Sequence, residues 1–178
     1  MVKIKGTTLR QINVTRETLP KVDPNLVAFA LGAELVRPTW PEIWMNVAKE
    51  ISRRSCDAKL QVGCIIVSAD NTSVLAVGYN GTYKGGPNRR ESMENGKSGC
   101  IHSEVNALIK ADYNFPKPKH MYTTHSPCLE CSRLIINADI KRVVYEIPYR
   151  ELDGIALLKQ VGIEVYTLPE AILIATKR

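Results

Sequence analysis

Two short motifs do most to limit what this chain can fold into: His102-Ser103-Glu104 and Pro127-Cys128-Leu129-Glu130-Cys131. Each stands where a helix is expected to begin, with one expected strand, His120 to Thr124, between them. If both motifs serve one function, the fold must bring two helix starts together. They supply one imidazole, two thiols and one spare carboxylate. Proline suits a first helical turn. Residues three apart share a helix face, so Cys128 and Cys131 can address one point. The positive end of a helix favours thiolate, the form that binds metal. His102, Cys128 and Cys131 are therefore the expected zinc ligands. Three protein ligands leave a fourth position for water, as in catalytic rather than structural zinc sites.

Glu104 stands two residues past His102, and on a regular helix that spacing points the two side chains almost oppositely. They converge only if His102 caps the helix instead of lying inside it. Given that geometry, Glu104 is the expected proton carrier. Zinc lowers the pKa of bound water toward neutrality. Glu104 would take the water proton, pass it to a pyrimidine ring nitrogen and later help the amine leave. H-x-E followed by P-C-x-x-C is the signature of zinc-dependent nucleobase deaminases. A C-x-x-C alone is equally compatible with redox chemistry or a structural metal. The spare carboxylate argues against a non-catalytic, zinc-stabilised nucleotide-binding module. His120 and His125 are rival ligands: His125 lies close to the cysteines, whereas His120 opens a strand and reads as structural.

The chain has 178 residues, with 44% hydrophobic and 24% charged residues. That suffices for one domain burying roughly 70% of its unfolded surface. No apolar run is long enough to predict a membrane helix. Met1 to Lys5 is basic but lacks the apolar core of a signal peptide. A cytoplasmic setting is expected, the host cytoplasm if the gene is a phage's. Five cysteines, an odd number, fit metal binding better than a disulfide framework. Cys56, Cys64 and Cys100 read as packing residues. The net charge of +6 attracts anions without saying which. Aromatic residues make up only 6%, which gives little support for a single-strand stacking platform, and no nucleic-acid partner is expected.

Residues 1–37 form an N-terminal extension holding one apolar patch, Leu26 to Leu31, and residues 38–178 the zinc-dependent domain. Pro41 to Arg54 predicts a helix, with Ile43, Trp44, Val47, Ala48 and Ile51 on one stripe. Val62 to Val67 and Val74 to Tyr79 predict a hairpin turning at Asp70-Asn71. Residues 80–101 read as a glycine-rich loop, and a loop that long inside a compact domain signals function. Helices are then expected over Ser103–Ala111, Leu129–Ala138 and Leu152–Gln160. They alternate with strands at 120–124, 142–145 and 164–166. The fold class is α/β: a five-stranded mixed sheet, its later strands parallel, covered by helices on both faces.

Beyond the zinc motifs, the chain resembles the deoxycytidylate deaminases of the cytidine-deaminase superfamily over roughly residues 40–168. Arg54-Ser55-Cys56-Asp57 with Gln61-Val62-Gly63-Cys64 is similar to that family's first block. Gly78-Tyr79-Asn80-Gly81 is similar to the second, and Tyr145-Glu146-Ile147-Pro148-Tyr149 to a later one. Gly85-Gly86-Pro87-Asn88 resembles the phage-type members. The resemblance implies a three-layer α/β/α cytidine-deaminase-like fold and conversion of dCMP to dUMP for thymidylate synthesis. It implies one catalytic zinc per chain, a homohexamer, activation by dCTP with Mg²⁺ and inhibition by dTTP. It places Asn80 on the deoxyribose and the backbone of Val62, Gly63 and Cys64 on the base. It also places Tyr149 beside the substrate, and Arg54 and Ser55 near the phosphate. Arg54 carries a planar fork suited to phosphate oxygens. Gly85, Gly86, Asn88, Arg89 and Arg90 are the expected effector site. The loop before His102 offers only Cys100 as a further ligand, so a single zinc is expected. Cys64 stands where the family often has alanine.

Two rivals keep the chemistry: a tRNA adenosine deaminase and a free cytidine deaminase. The Arg54–Asp57 block, the long glycine-rich loop and the lack of an arginine-rich C-terminal helix argue against the first.

Overall fold

The computed structural model describes residues 30–31 and 37–177. By its contacts the chain divides into two compact units, 1–37 and 38–178. Most of the Leu26–Leu31 patch lies outside the described residues.

The first helix of the second unit, α1 (Trp40–Ser52), starts where the sequence puts a threonine, a proline and a glutamate. The Thr39 N–H and hydroxyl donate to the Glu42 carboxylate at 2.6 and 2.7 Å, which holds that carboxyl below its usual range. This closes off free groups at the helix start. Its buried face is Pro41, Trp44, Met45 and Ala48, so Met45 sits at the centre of the stripe and Ile43 at its edge.

β1 (Gly63–Ser68) and β2 (Val74–Tyr79) form the expected antiparallel hairpin. Asn71 takes the left-handed conformation in its turn, with φ of 60°, as asparagine tolerates. The remaining elements are α2 (Ser103–Leu108), β3 (Lys119–His125), α3 (Leu129–Asn137), β4 (Ile140–Ile147), α4 (Asp153–Gln160), β5 (Glu164–Thr167) and α5 (Leu168–Thr176).

The sheet order is β2-β1-β3-β4-β5. β1 pairs antiparallel with both neighbours, whereas β3, β4 and β5 run parallel. The sheet is therefore mixed. Alternation along β1 divides two apolar cores. Cys64 and Ile66 face Ala107 of α2, Ile135 of α3 and Leu158 of α4. Ile65 and Val67 face Trp44, Met45 and Ala48 of α1 and Ala171 of α5. All six β1 residues are buried, as a strand covered on both faces requires. The result is the expected three-layer α/β/α architecture.

The final helix, α5, is an element the sequence reading did not include. It begins directly after β5 with a second threonine-to-glutamate box, in which Thr167 donates its N–H and hydroxyl to Glu170. The Thr167-Leu168-Pro169-Glu170 spacing is its visible signal.

Candidate active site and metal centre

Two connections meet at one end of the sheet. β3 ends at His125, and Ser126-Pro127 leads into α3 with Cys128 as N-cap, φ −71° and ψ 172°. β2 ends at Tyr79, and the long loop that follows returns to it. Gly81 and Ile101 exchange backbone hydrogen bonds of 3.1 and 2.7 Å, an isolated antiparallel bridge. The bridge sets His102 beside the end of β2. Asn106 of α2 donates to the Tyr79 carbonyl at 2.9 Å and fixes the helix there.

His102 is the N-cap of α2, in an extended conformation with φ −67° and ψ 154°. This is the geometry that the two-residue spacing to Glu104 demanded. The His102 Nδ1 lies 3.3 Å from Cys131 Sγ and 3.5 Å from Cys128 Sγ. The three ligand atoms all fall within 4.8 Å of one another. One imidazole nitrogen and two sulfurs at that separation fit a single zinc ion with an open coordination position. Neither His120 nor His125 belongs to this cluster.

The thiols titrate as a pair. The Cys131 S–H hydrogen bond holds Cys128 down to about 3, with His102 adding to the effect. The same contact, with burial, pushes Cys131 up. Hydrogen bonding to Cys128 also raises His102 against the effect of its burial.

A cavity of about 490 Å³ opens over the cluster, and His102, Glu104 and Cys128 line it. Glu104 is 4% exposed and accepts a 2.8 Å hydrogen bond from Ser103 Oγ. Burial raises its carboxyl above the usual range, and the hydrogen bonds from its own backbone and Ser103 only partly offset this. A carboxyl that holds its proton more firmly is suited to give one back as well as take one.

Asn80, Val62 and Tyr149 also line the cavity. The buried Asn80 amide is anchored to the wall: its Oδ1 accepts the Val62 N–H at 2.7 Å and its Nδ2 donates to the Leu60 carbonyl at 2.8 Å. An amide has a further hydrogen and lone pair to offer a ligand. The Tyr149 N–H donates to Ser126 Oγ at 2.7 Å, which ties the segment after β4 to the metal loop. His125 lines the cavity as well, its imidazole pushed down by burial.

Other expected site residues lie elsewhere. Gly63 faces α1, where a Cβ would stand 1.9 Å from the Ala48 carbonyl oxygen. Cys64 is fully buried in the core; burial raises its thiol, and so does the Glu104 charge. Arg54 is exposed, and Ser55 is buried at the turn after α1, with neither on the cavity wall. Of the expected effector set, Arg90 lines the cavity, whereas Gly85, Gly86, Asn88 and Arg89 do not. The structure adds wall residues that motif reading passed over: Lys59, Ser126, Arg150 and the carboxylate of Asp57.

Three comparisons bear on this arrangement. Residues 38–147 match the family model described as the cytidine and deoxycytidylate deaminase zinc-binding region. A deoxycytidylate deaminase of Saccharomyces cerevisiae is 35% identical over 145 residues, covering 75% of this chain and 46% of the relative. The human deoxycytidylate deaminase is 36% identical over 114 residues, 60% of this chain and 64% of its own length. The chain thus spans about half the length of the yeast relative and under two thirds of the human one. A crystal structure of a dCMP deaminase from the cyanophage S-TIM5, in complex with dCMP and dUMP, superposes with a TM-score of 0.65 at 36% identity. That superposition covers 74% of this chain and 98% of the other. The extent of the family match, together with the His102, Cys128 and Cys131 cluster it encloses, makes this chain a member of the cytidine and deoxycytidylate deaminase family.

Proposed function

We propose that this protein deaminates dCMP hydrolytically, giving dUMP and ammonia. The observation that carries the reading is that one cavity is lined by His102 and Cys128 of the His102, Cys128 and Cys131 cluster and by the buried Glu104. Zinc is the fitting ion, and when bound it would make water acidic enough to supply hydroxide near neutral pH.

The rest of the chemistry belongs to the chain. Glu104 takes a proton from the attacking water and delivers it to the pyrimidine ring nitrogen, which readies the amine-bearing carbon for addition. A second proton goes through the same carboxyl to the amine, which leaves as ammonia. Ser103 Oγ keeps one Glu104 oxygen occupied, so the other is directed to the reacting groups. Val62 and Asn80 form the wall against which the base and deoxyribose rest. Tyr149 is a further part of the wall, its ring covered by the Arg150 guanidinium 5.3 Å away. The similarity to a deaminase captured with dCMP and dUMP supports a nucleoside monophosphate as substrate.

The same reading includes a cytoplasmic homohexamer that feeds thymidylate synthesis, activated by dCTP with Mg²⁺ and inhibited by dTTP. It takes residues 38–178 as the deaminase domain and 1–37 as an extension. The loop carrying Gly85, Gly86, Asn88 and Arg89 is its effector contact, with Arg54 and Ser55 outside the cavity as further phosphate contacts.

An assay series tests the substrate. Purified protein is incubated separately with dCMP, dCTP, deoxycytidine and a tRNA anticodon stem, and ammonia release is followed. Turnover of dCMP well above the others is expected; turnover of the RNA alone would overturn the reading. Velocity curves that ignore both dTTP and dCTP with Mg²⁺ would remove the regulatory part.

A further inference from the structure

A buried ion pair forms part of the cavity wall, joining two segments 33 residues apart in sequence. The Arg90 guanidinium donates to both Asp57 oxygens at 2.5 and 2.6 Å, and the two side chains are 9% and 4% exposed. Arg90 Nε also donates to the Ser92 carbonyl at 3.0 Å, so its plane is fixed from two sides.

The pair continues into the wall. Asp57 Oδ1 accepts the backbone N–H of Lys59 at 2.8 Å and of Leu60 at 3.1 Å. The Leu60 carbonyl accepts from Asn80 Nδ2 at 2.8 Å, and Asn80 Oδ1 accepts the Val62 N–H at 2.7 Å. Arg90, Asp57, Leu60, Asn80 and Val62 all line the cavity. An unbroken series of hydrogen bonds therefore runs from the glycine-rich loop to the groups expected to hold the base and sugar. A buried pair of this kind is weak evidence for net stability, and its best-attested use is to fix one arrangement.

We infer that Arg90 and Asp57 are positioning residues for the nucleotide wall: the pair sets where Leu60, Asn80 and Val62 stand, and through them substrate affinity. Arg90 thereby serves the substrate cavity and not a separate effector site. The inference rests on the dCMP reading. Wild-type protein that turns over no dCMP overturns that reading before any variant is considered.

The test is a double-mutant cycle on full-length, zinc-loaded protein: Arg90→Ala, Asp57→Ala and both together. KM and kcat for dCMP, dUMP affinity by calorimetry and zinc content are measured for each. Each single variant is expected to raise KM and weaken dUMP on the order of tenfold, the size of coupling usual within one hydrogen-bond network. Zinc stays at one per chain and kcat changes by less than about threefold, the signature of lost ground-state binding. The double variant is no worse than either single one, because each removes the same device. Unchanged KM and dUMP affinity in Arg90→Ala would overturn the inference. Fully additive losses would overturn it too, since Arg90 would then act on the ligand by itself. Should Arg90→Ala fail to fold, Arg90→Lys keeps the charge but has no counterpart to the Nε donor that fixes the guanidinium plane on the Ser92 carbonyl. A KM raised at least about threefold is expected of it, and an unchanged KM contradicts the inference.

Discussion

His102 and Cys128 are both helix N-caps, 26 residues apart, and their side chains meet at 3.5 Å. Neither lies within its helix, so each is free of helical side-chain geometry. Cys131, in the first turn of α3, completes the cluster, and Glu104, in the first turn of α2, lines the cavity beside it.

That shared cap geometry predicts which thiol reacts when metal is removed. Cys128 is half-buried and held as thiolate by the Cys131 hydrogen bond, whereas Cys131 and Cys64 are buried and their thiols are pushed up. Thiolate is the nucleophile. Chelator-treated protein exposed to iodoacetamide at neutral pH should be labelled first at Cys128, and zinc should protect it. Mass spectrometry of the modified peptides reads the order. First labelling at Cys56 or Cys100 would contradict the site's electrostatics.

Gly154 in the first turn of α4 sits against the metal loop. A Cβ there would lie 2.4 Å from the Pro127 carbonyl oxygen, 2.6 Å from Ser132 Oγ and 2.8 Å from the Cys128 carbonyl carbon. Helix propensity alone would make Gly154→Ala stabilising by roughly 1 kcal/mol. The backbone contacts reverse that sign, and a loss of about 1–3 kcal/mol is expected from overpacking. Because Cys128 must shift, zinc affinity should fall as well, at least about tenfold, and competition with a chelator measures it. A raised Tm with unchanged zinc affinity would rule the explanation out.

Acid should weaken the Asp57 and Arg90 pair in a defined direction. Burial alone would raise the Asp57 carboxyl. The Arg90 hydrogen bonds and the N–H groups of Lys59 and Leu60 outweigh it and hold the carboxyl below its usual range. A folded pKa below the unfolded one gives stability that is fully present above the unfolded pKa and is lost as pH falls through the folded value. Asp57→Asn should therefore be less stable than wild type at pH 7, where the Arg90 guanidinium loses its charged partner. The difference from wild type should hold steady down to about pH 5 and shrink below it. Urea denaturation at several pH values measures this; a difference that widens toward acid would contradict the pairing.

The zinc cluster and the cap requirement were legible because they follow from residue chemistry and short-range geometry. Cys128-x-x-Cys131 and His102-x-Glu104 each fit only one local arrangement. The two-faced β1 was legible for the same reason, the apolar run Cys64 to Val67 leaving no polar side for water. α5 was missed although its Thr167-to-Glu170 box is local, because Leu168 to Ile174 is apolar without a clear helical period. The substrate wall was legible only in part. Asn80 directly follows β2 and Val62 directly precedes β1, so both stay near the sheet end. The place of Arg90 depends on a partner 33 residues away, and no local pattern reports such a contact.

The shared cavity of metal ligands and proton carrier is tested most directly by Glu104→Ala. Glu104 is no part of the ligand cluster, so the variant should keep one zinc per chain by elemental analysis. Its dCMP turnover should fall about 10²–10⁴-fold, the usual contribution of general acid–base catalysis. A variant that keeps both its zinc and its full rate would show that this carboxyl carries no proton in the reaction.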